Sequence, residues 1–469
     1  MNMKNLFIAI VIILFSQQVH AQSNITDFAR TLTNRALSKN YELSNSMLEV
    51  EKTEQEIKSA KATYIPQVNV VGAYAYLNQD VLVDLPSIQT GVSGLNLFEG
   101  SQSFGVRGRM GLAALNAEMV LFSGMQAEYG SKALVEKQHA QNYLSQAKRN
   151  EVILDILETT DQIALIHQSK LLLDESRQRL DKEILRVNKA IENGLAIPYD
   201  RKKIEVAIYR LQAKEQEYEG KKELLFAKLS VLTGVSAEDI ERQSQQLNEL
   251  NPWLLEAAAT NDLAVAESRP ELQALNAGIR AVDYQIKMEK SKALPQVLAM
   301  GSVGYTNLHN STISTPFHLP VSGQELNLQT NKIEAFPNYI VGIGLRWNLF
   351  SGTHRSHDVK KLTIEKEIAQ NKMKDANEKL ALLLHKSKTD FLISEKQMLL
   401  KGKEKEIAED ALHTAIRSYQ EGLISITERI EAENALRESQ MDYTQAVFDQ
   451  RKAAVSYLLS QGNFDLNNL

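Results

Sequence analysis

The sequence contains no cysteine, only nine prolines and two tryptophans among 469 residues. Without cysteine the chain has no disulfide, no thiolate metal site and no lipid-modified N-terminal cysteine. Beyond its N-terminus no stretch reaches about eighteen apolar residues, so no later segment is long enough to cross a bilayer as a helix. If the mature chain spans a membrane, it must do so as a closed β-barrel, which satisfies every backbone group in lipid. Basic residues are outnumbered, 53 Lys+Arg against 58 Asp+Glu, and the formal charge of −5 argues against nucleic acid as a partner. No Ser-His-Asp arrangement, phosphate loop or zinc spacing is present. His354, His357 and Asp358 open a helical stretch just after a strand, where a solvated first turn accounts for them. The expectation is a non-enzyme with no cofactor and no metal.

Residues 1–21 read as a secretory signal: Lys4 at the start, an apolar core from Leu6 to Phe15, and the cleavage motif Val19-His20-Ala21. That core is about half the length of a membrane-spanning helix, so it reads as a removable signal. The mature chain is exported, and losing Lys4 makes it one unit more negative.

A constant offset organises the rest. Ile65-Pro66-Gln67-Val68 returns as Leu294-Pro295-Gln296-Val297, 229 positions later. Leu121-Phe122-Ser123-Gly124 returns as Leu349-Phe350-Ser351-Gly352, Glu192-Asn193-Gly194-Leu195 as Gln420-Glu421-Gly422-Leu423, and Leu232-Thr233-Gly234 as Leu459-Ser460-Gln461-Gly462, near an offset of 228. Such order marks an internal duplication. The first repeat covers 22–240, a polar connector 241–261, and the second repeat 262–469.

Each repeat opens with a helical pattern. In the first, Leu32, Ala36, Leu43, Met47, Val50 and Ile57 recur at helical spacing over 27–64, and Pro66 ends the helix. Strands are expected at about 66–77 and 105–122, then at about 296–307 and 339–350, with loops over 78–103 and 307–337. The last strand is the clearest. Tyr339, Val341, Ile343, Leu345, Trp347 and Leu349 alternate with Gly342, Gly344, Arg346 and Asn348, the pattern of a membrane barrel. Tyr339 and Trp347 lie about 26 Å apart along the strand, a spacing suited to aromatic girdles at two interfaces. Arg107, Arg109 and Arg346 alternate with small or apolar residues and are expected to line the lumen.

From Gly124 to Gly194, and again from Gly352 to Gly422, run 70 residues without proline, rich in helix formers. Such a helix is about 105 Å long, a length that implies a coiled coil. Ile166, Leu173, Leu180 and Val187 recur every seven positions, as do Leu384, Phe391 and Met398. Each long helix turns at its glycine and returns, giving hairpins over 124–233 and 352–462. Four strands cannot close a barrel, so copies must share one, and a lumen needs more than about eight strands.

In this order the signal, Arg269-Pro270-Glu271-Leu272, the Pro-Gln-Val strand entries, the Leu-Phe-Ser-Gly exits and the Gly-Leu turns resemble the TolC-like outer-membrane efflux proteins. The resemblance implies an α+β membrane protein. Three chains would share a twelve-stranded β-barrel, continued by a long helical coiled-coil barrel into the periplasm, with an equatorial belt from the connectors and the C-terminus. It implies a passive exit channel in outer-membrane lipid, docked to a periplasmic adaptor and an inner-membrane RND or ABC transporter, serving efflux or type I secretion. Gly194, Leu195, Gly422 and Leu423 would meet the adaptor. Glu428 and Glu431 match the family's carboxylate rings at the constriction, and Asp200 and Tyr419 match positions that tether the closed helices. Where the family has an arginine two residues after the second glycine, this chain has Ile424, so that guanidinium tether is absent. The other reading, a periplasmic coiled-coil adaptor, would show one helical hairpin inserted within β-domains rather than two equal halves with membrane-like strands.

Overall fold

The computed structural model describes residues 26–85, 100–245, 247, 250–253, 255, 269–318 and 324–462. The signal at 1–21, about half of the connector and the C-terminal residues 463–469, expected in the equatorial belt, lie outside the described residues. The order is α1 (Asp27–Lys39), α2 (Tyr41–Lys61), β1 (Gln67–Leu85), β2 (Gly100–Phe122), α3 (Gln126–Glu192), α4 (Pro198–Thr233) and α5 (Ala237–Ser244). It continues with α6 (Pro270–Ser291), β3 (Gln296–His318), β4 (Glu325–Arg346), α7 (His354–Gln420) and α8 (Ile426–Ser460). The sequence of helix, two strands and two helices therefore occurs twice.

Contacts divide the chain into two units, each drawing on both repeats. One comprises 1–52, 137–279 and 367–469, the other 53–136 and 280–366. The second unit holds a four-stranded antiparallel sheet in the order β1-β2-β3-β4, with β1 and β4 at its edges. Its strands are longer than their apolar patterns suggest. The described parts of the loops expected over 78–103 and 307–337 are almost all strand, because β1 continues to Leu85, β2 begins at Gly100, β3 continues to His318 and β4 begins at Glu325. Those extensions mix polar and apolar residues on both faces, as in Asp80-Val81-Leu82-Val83-Asp84, so period-two alternation does not reveal them. The last strand stops at Arg346, short of the expected Phe350, and Trp347 lies just past it, its indole donating to the Ala293 carbonyl at 3.0 Å.

The single helix expected over 27–64 is two. The Asn40 side chain accepts from the Leu43 amide at 2.8 Å, starting a second helix where the first ends. Met47 is exposed rather than on the buried face. The coiled-coil stripes hold: Ile166, Leu173, Leu180 and Val187 of α3 are buried, as are Leu384 and Phe391 of α7, with Met398 partly buried. Each fully buried leucine contributes about 1.5–3 kcal/mol. Three residues after the apolar positions come Ser169, Ser176 and Glu183 on α3, and Ser387 and Ser394 on α7, also buried. Both long helices are 67 residues.

Where the helical unit meets its connector, Trp253 is almost fully buried near the stacked Phe391–Tyr457 pair. Gln450 clamps its backbone from both sides, accepting from Trp253 N at 3.0 Å and donating to its carbonyl at 2.7 Å. Arg451 stacks its guanidinium 5.5 Å from the indole centroid and binds both carboxylate oxygens of Asp161, at 2.8 and 2.9 Å. Gln450→Ala would orphan two buried backbone groups and is expected to lower stability by about 2–4 kcal/mol, read as a fall in melting temperature of the detergent-solubilised protein.

Candidate gate and docking site at the hairpin ends

Both long helices end in the same way. Gly194 and Gly422 adopt left-handed backbone, φ 71° and 75°. The following amides reach back, Leu195 to the Ala190 carbonyl and Leu423 to Ser418, both at 2.8 Å, closing the last turn. The turn leaves Leu195 82% and Leu423 71% exposed with nothing apolar covering them. An apolar side chain in water at each turn is the feature an incoming helix can use.

The return helices are capped by the acids six residues after each glycine. Asp200 accepts from the Ile197 amide at 3.2 Å behind Pro198. Glu428 accepts from the Ser425 amide and hydroxyl, at 2.7 and 2.9 Å, while Ser425 Oγ accepts from the Glu428 amide at 3.3 Å. Those bonds hold the Glu428 carboxyl below its ordinary range. One of its oxygens is therefore committed to the helix start, a job not visible from its spacing to Gly422 alone. Glu431 is exposed and Tyr419 half-buried. Ser425→Ala removes the reciprocal cap and should cost about 0.5–2 kcal/mol, measured by thermal unfolding. The Glu428 contribution is present above the usual carboxylate pKa and is lost as pH falls through its lowered folded value.

Between the two hairpins lies a buried apolar patch of Leu180, Val187, Ile204, Ala207, Ile426 and Ile430, with Tyr419 against it. Beside it, α3 and α8 exchange charges that sequence spacing did not single out. Arg429 sits 3.2 Å from Glu183, with side chains 4% and 1% exposed. Arg179 donates to Glu433 at 2.6 Å, and Ser176 adds a longer bond to the same oxygen. Burial raises the Tyr419 phenol pKa, and the charges of Glu183 and, more weakly, Asp200 add to it. Lys203 of α4 donates to the Thr427 hydroxyl of α8. Three helices, α3, α4 and α8, are thus cross-tied near their turns, with Tyr419 of α7 packed against the same patch and Ile424 taking no part in a charged tether. A heptad reading offered one clue to the missed pair. Glu183 and Glu433 each fall three residues after a buried apolar position, Leu180 and Ile430.

On the sheet, register separates residues that the sequence placed together. Tyr76 pairs with Arg109 and Asn78 with Arg107, so both arginines share the face of Val68, Val70 and Tyr74. Leu115, Val303, Tyr339, Val341, Ile343 and Leu345 continue that apolar face across the strands. Arg346 pairs with Gln296 on the opposite face, which carries the Asn69–Asn116–Ser302 hydrogen-bond chain. The expectation that Arg107 and Arg109 line the lumen with Arg346 is therefore corrected: β2 is small-residue-rich on both faces, and only pairing fixes its orientation. Tyr339 is exposed on the apolar face and Trp347 is exposed just beyond it.

Among the described residues no helix is long and apolar enough to cross a membrane, and no cluster of three or more His, Asp or Glu could hold a metal. Residues 263–458 match the outer membrane efflux protein family. That match lies within the second repeat, 262–469. The fold resembles the outer membrane protein VceC of Vibrio cholerae, at 15% identity and TM-score 0.68, over 93% of this chain and 96% of that one. It also resembles a membrane protein of Pseudomonas aeruginosa, at 14% identity and TM-score 0.71, over 93% and 94%. The Campylobacter jejuni outer membrane channel CmeC gives 13% identity and TM-score 0.68, over 94% and 88%. No curated protein matches in sequence.

Proposed function

We propose that this chain is an outer-membrane efflux protein, a passive exit duct for a tripartite efflux pump or type I secretion system, working as a homotrimer and gated at the hairpin ends. The observation that carries this reading is the unfinished state of the single chain. Its sheet is open at β1 and β4, and an open edge is untenable in lipid. A second heptad stripe on α7, Ile393, Leu400 and Ile407, is exposed in the single chain. Neighbouring copies satisfy both needs; the lumen requirement favours three or more, and the family resemblance implies three.

Glu431, with the second oxygen of Glu428, would ring the constriction and favour cations. The Arg429–Glu183 and Arg179–Glu433 pairs, with Lys203–Thr427, hold the closed state in place of the missing arginine tether. Leu195 and Leu423, set by Gly194 and Gly422, receive a periplasmic adaptor that connects the duct to an RND or ABC transporter. In planar bilayers the purified trimer should form cation-preferring channels, with Glu431→Ala lowering cation selectivity; a protein with no conductance would overturn the reading. Leu195→Asp/Leu423→Asp should abolish export in cells while leaving trimer yield unchanged, because the adaptor loses its apolar anchor. Unimpaired export would remove the turns from docking.

A further inference from the structure

Near the hairpin ends of the sheet, one register row reads Tyr76, Arg109, His309 and Lys332 across β1 to β4. The next row outward places Asn78, Arg107, Thr312 and Gln329 side by side. Both rows lie on the apolar face that begins at Val68. From Val68 to Tyr76 is about 26 Å of strand, or about 20 Å of height at a typical barrel tilt. An apolar band is about 25 Å tall, so the rows fall at its outer rim, where lipid headgroups begin. Tyrosines mark the same rim: Tyr74 and Tyr76 on β1 and Tyr305 on β3, whose hydroxyl donates to Glu334 at 3.0 Å. Arginines at this height on this face meet lipid rather than lumen.

The two arginines are exposed, and neither forms an ion pair among the described residues. Arg107 donates Nε to Asn78 Oδ1 at 3.1 Å, which steadies its guanidinium against the strand. Lys332 is paired with Glu334, and Asp80 faces Gly105 one row further out, so the unpaired positive charge centres on Arg107 and Arg109. Two guanidinium groups spaced two residues apart on one strand suit phosphate oxygens, which they bind in a forked geometry.

We propose that this face holds a binding site for the phosphate groups of an anionic outer-leaflet glycolipid, with Arg107 and Arg109 as its principal ligands and His309 and Lys332 flanking them. The proposal rests on the outer-membrane barrel reading. Full-length protein in neutral detergent would be titrated with diphosphorylated lipid A, and bound lipid counted by native mass spectrometry. Arg107→Gln/Arg109→Gln should weaken binding at least tenfold, Arg107→Lys/Arg109→Lys should retain most of it, and Arg346→Gln on the opposite face should not change it. Binding should fall with salt and with dephosphorylated lipid A. Equal binding by the Gln pair and the parent would overturn the proposal. So would arginine-dependent binding of inorganic phosphate as tight as that of the lipid, which would mark a free-anion site. Conductance recorded on the same preparations separates the two failures. Conducting trimers without arginine-dependent lipid binding sink only this inference, and absent conductance sinks the barrel reading beneath it.

Discussion

Glu183→Ala is expected to destabilise the hairpin ends by about 3–5 kcal/mol and to raise the resting conductance of the duct. The argument is one of stranded charge. Arg429 is 4% exposed and Glu183 is its ion-pair partner, so deletion leaves a buried guanidinium with no counter-charge. Solvating it requires the α3 and α8 ends to part, the motion by which the proposed gate would open. Removing both charges should be milder than removing one, because the double variant Glu183→Ala/Arg429→Ala leaves nothing uncompensated. The coupling between neighbours in such a pair is about 0.5–3 kcal/mol. Melting temperature reports the stability, and single-channel recording at low voltage reports the opening. A Glu183→Ala protein as stable and as closed as the parent would show that the buried pair holds nothing together.

Arg451→Met carries the second large effect, a loss of about 3–5 kcal/mol at neutral pH. Methionine keeps a side chain of similar length but takes the guanidinium away from Trp253 and strands the Asp161 carboxylate. Burial already pushes Asp161 above its ordinary value, with the Arg451 charge and hydrogen bonds opposing that rise. Its sign with pH follows. A raised folded pKa means that the folded state holds the proton over a window where the unfolded chain has lost it. Stability attributable to Asp161 therefore falls as pH rises from the ordinary carboxylate value through the raised folded one. In Arg451→Met the window extends further upward. The variant should regain part of its lost stability between neutral pH and about pH 5, where the parent regains less. Melting curves across that range decide the point, and a parallel pH dependence for the two proteins would remove Asp161 as the cause.

The helical half of this fold was legible because burial there obeys a period. Leu173 and Leu180 announce a seam whichever partner fills it, and Gly194 and Gly422 announce its end because only a left-handed residue closes the turn. The sheet was legible only where one face meets an apolar medium. Beyond Leu77 and Thr306 polar and apolar residues mix on both faces, alternation disappears, and real strand reads as loop. Arg107 and Arg109 were grouped with Arg346 for a related reason. Period two assigns residues to the same face, but it does not say which face without a neighbour such as Tyr76 to fix it. The charged ties at the hairpin ends were the hardest to foresee. Glu183 and Glu433 sit in helices crowded with exposed acids, and only packing against α8 and α3 distinguishes them. Glu428 shows the converse, a spacing that matched a pore acid while the local chemistry also made it a helix cap.

The central claim, that several copies share one barrel, can be tested directly because the native chain has no cysteine. In the order β1-β2-β3-β4, the two edge strands of one chain stand about 14 Å apart, three strand spacings, too far for a disulfide. Ala73→Cys on β1 would be combined in turn with Asn338→Cys, Ile340→Cys, Gly342→Cys and Gly344→Cys on β4, then oxidised in outer-membrane fractions and resolved on denaturing gels. The account predicts that one register yields a covalent ladder ending at three chains. Monomers alone in every register, or a ladder ending at any other number, would contradict it.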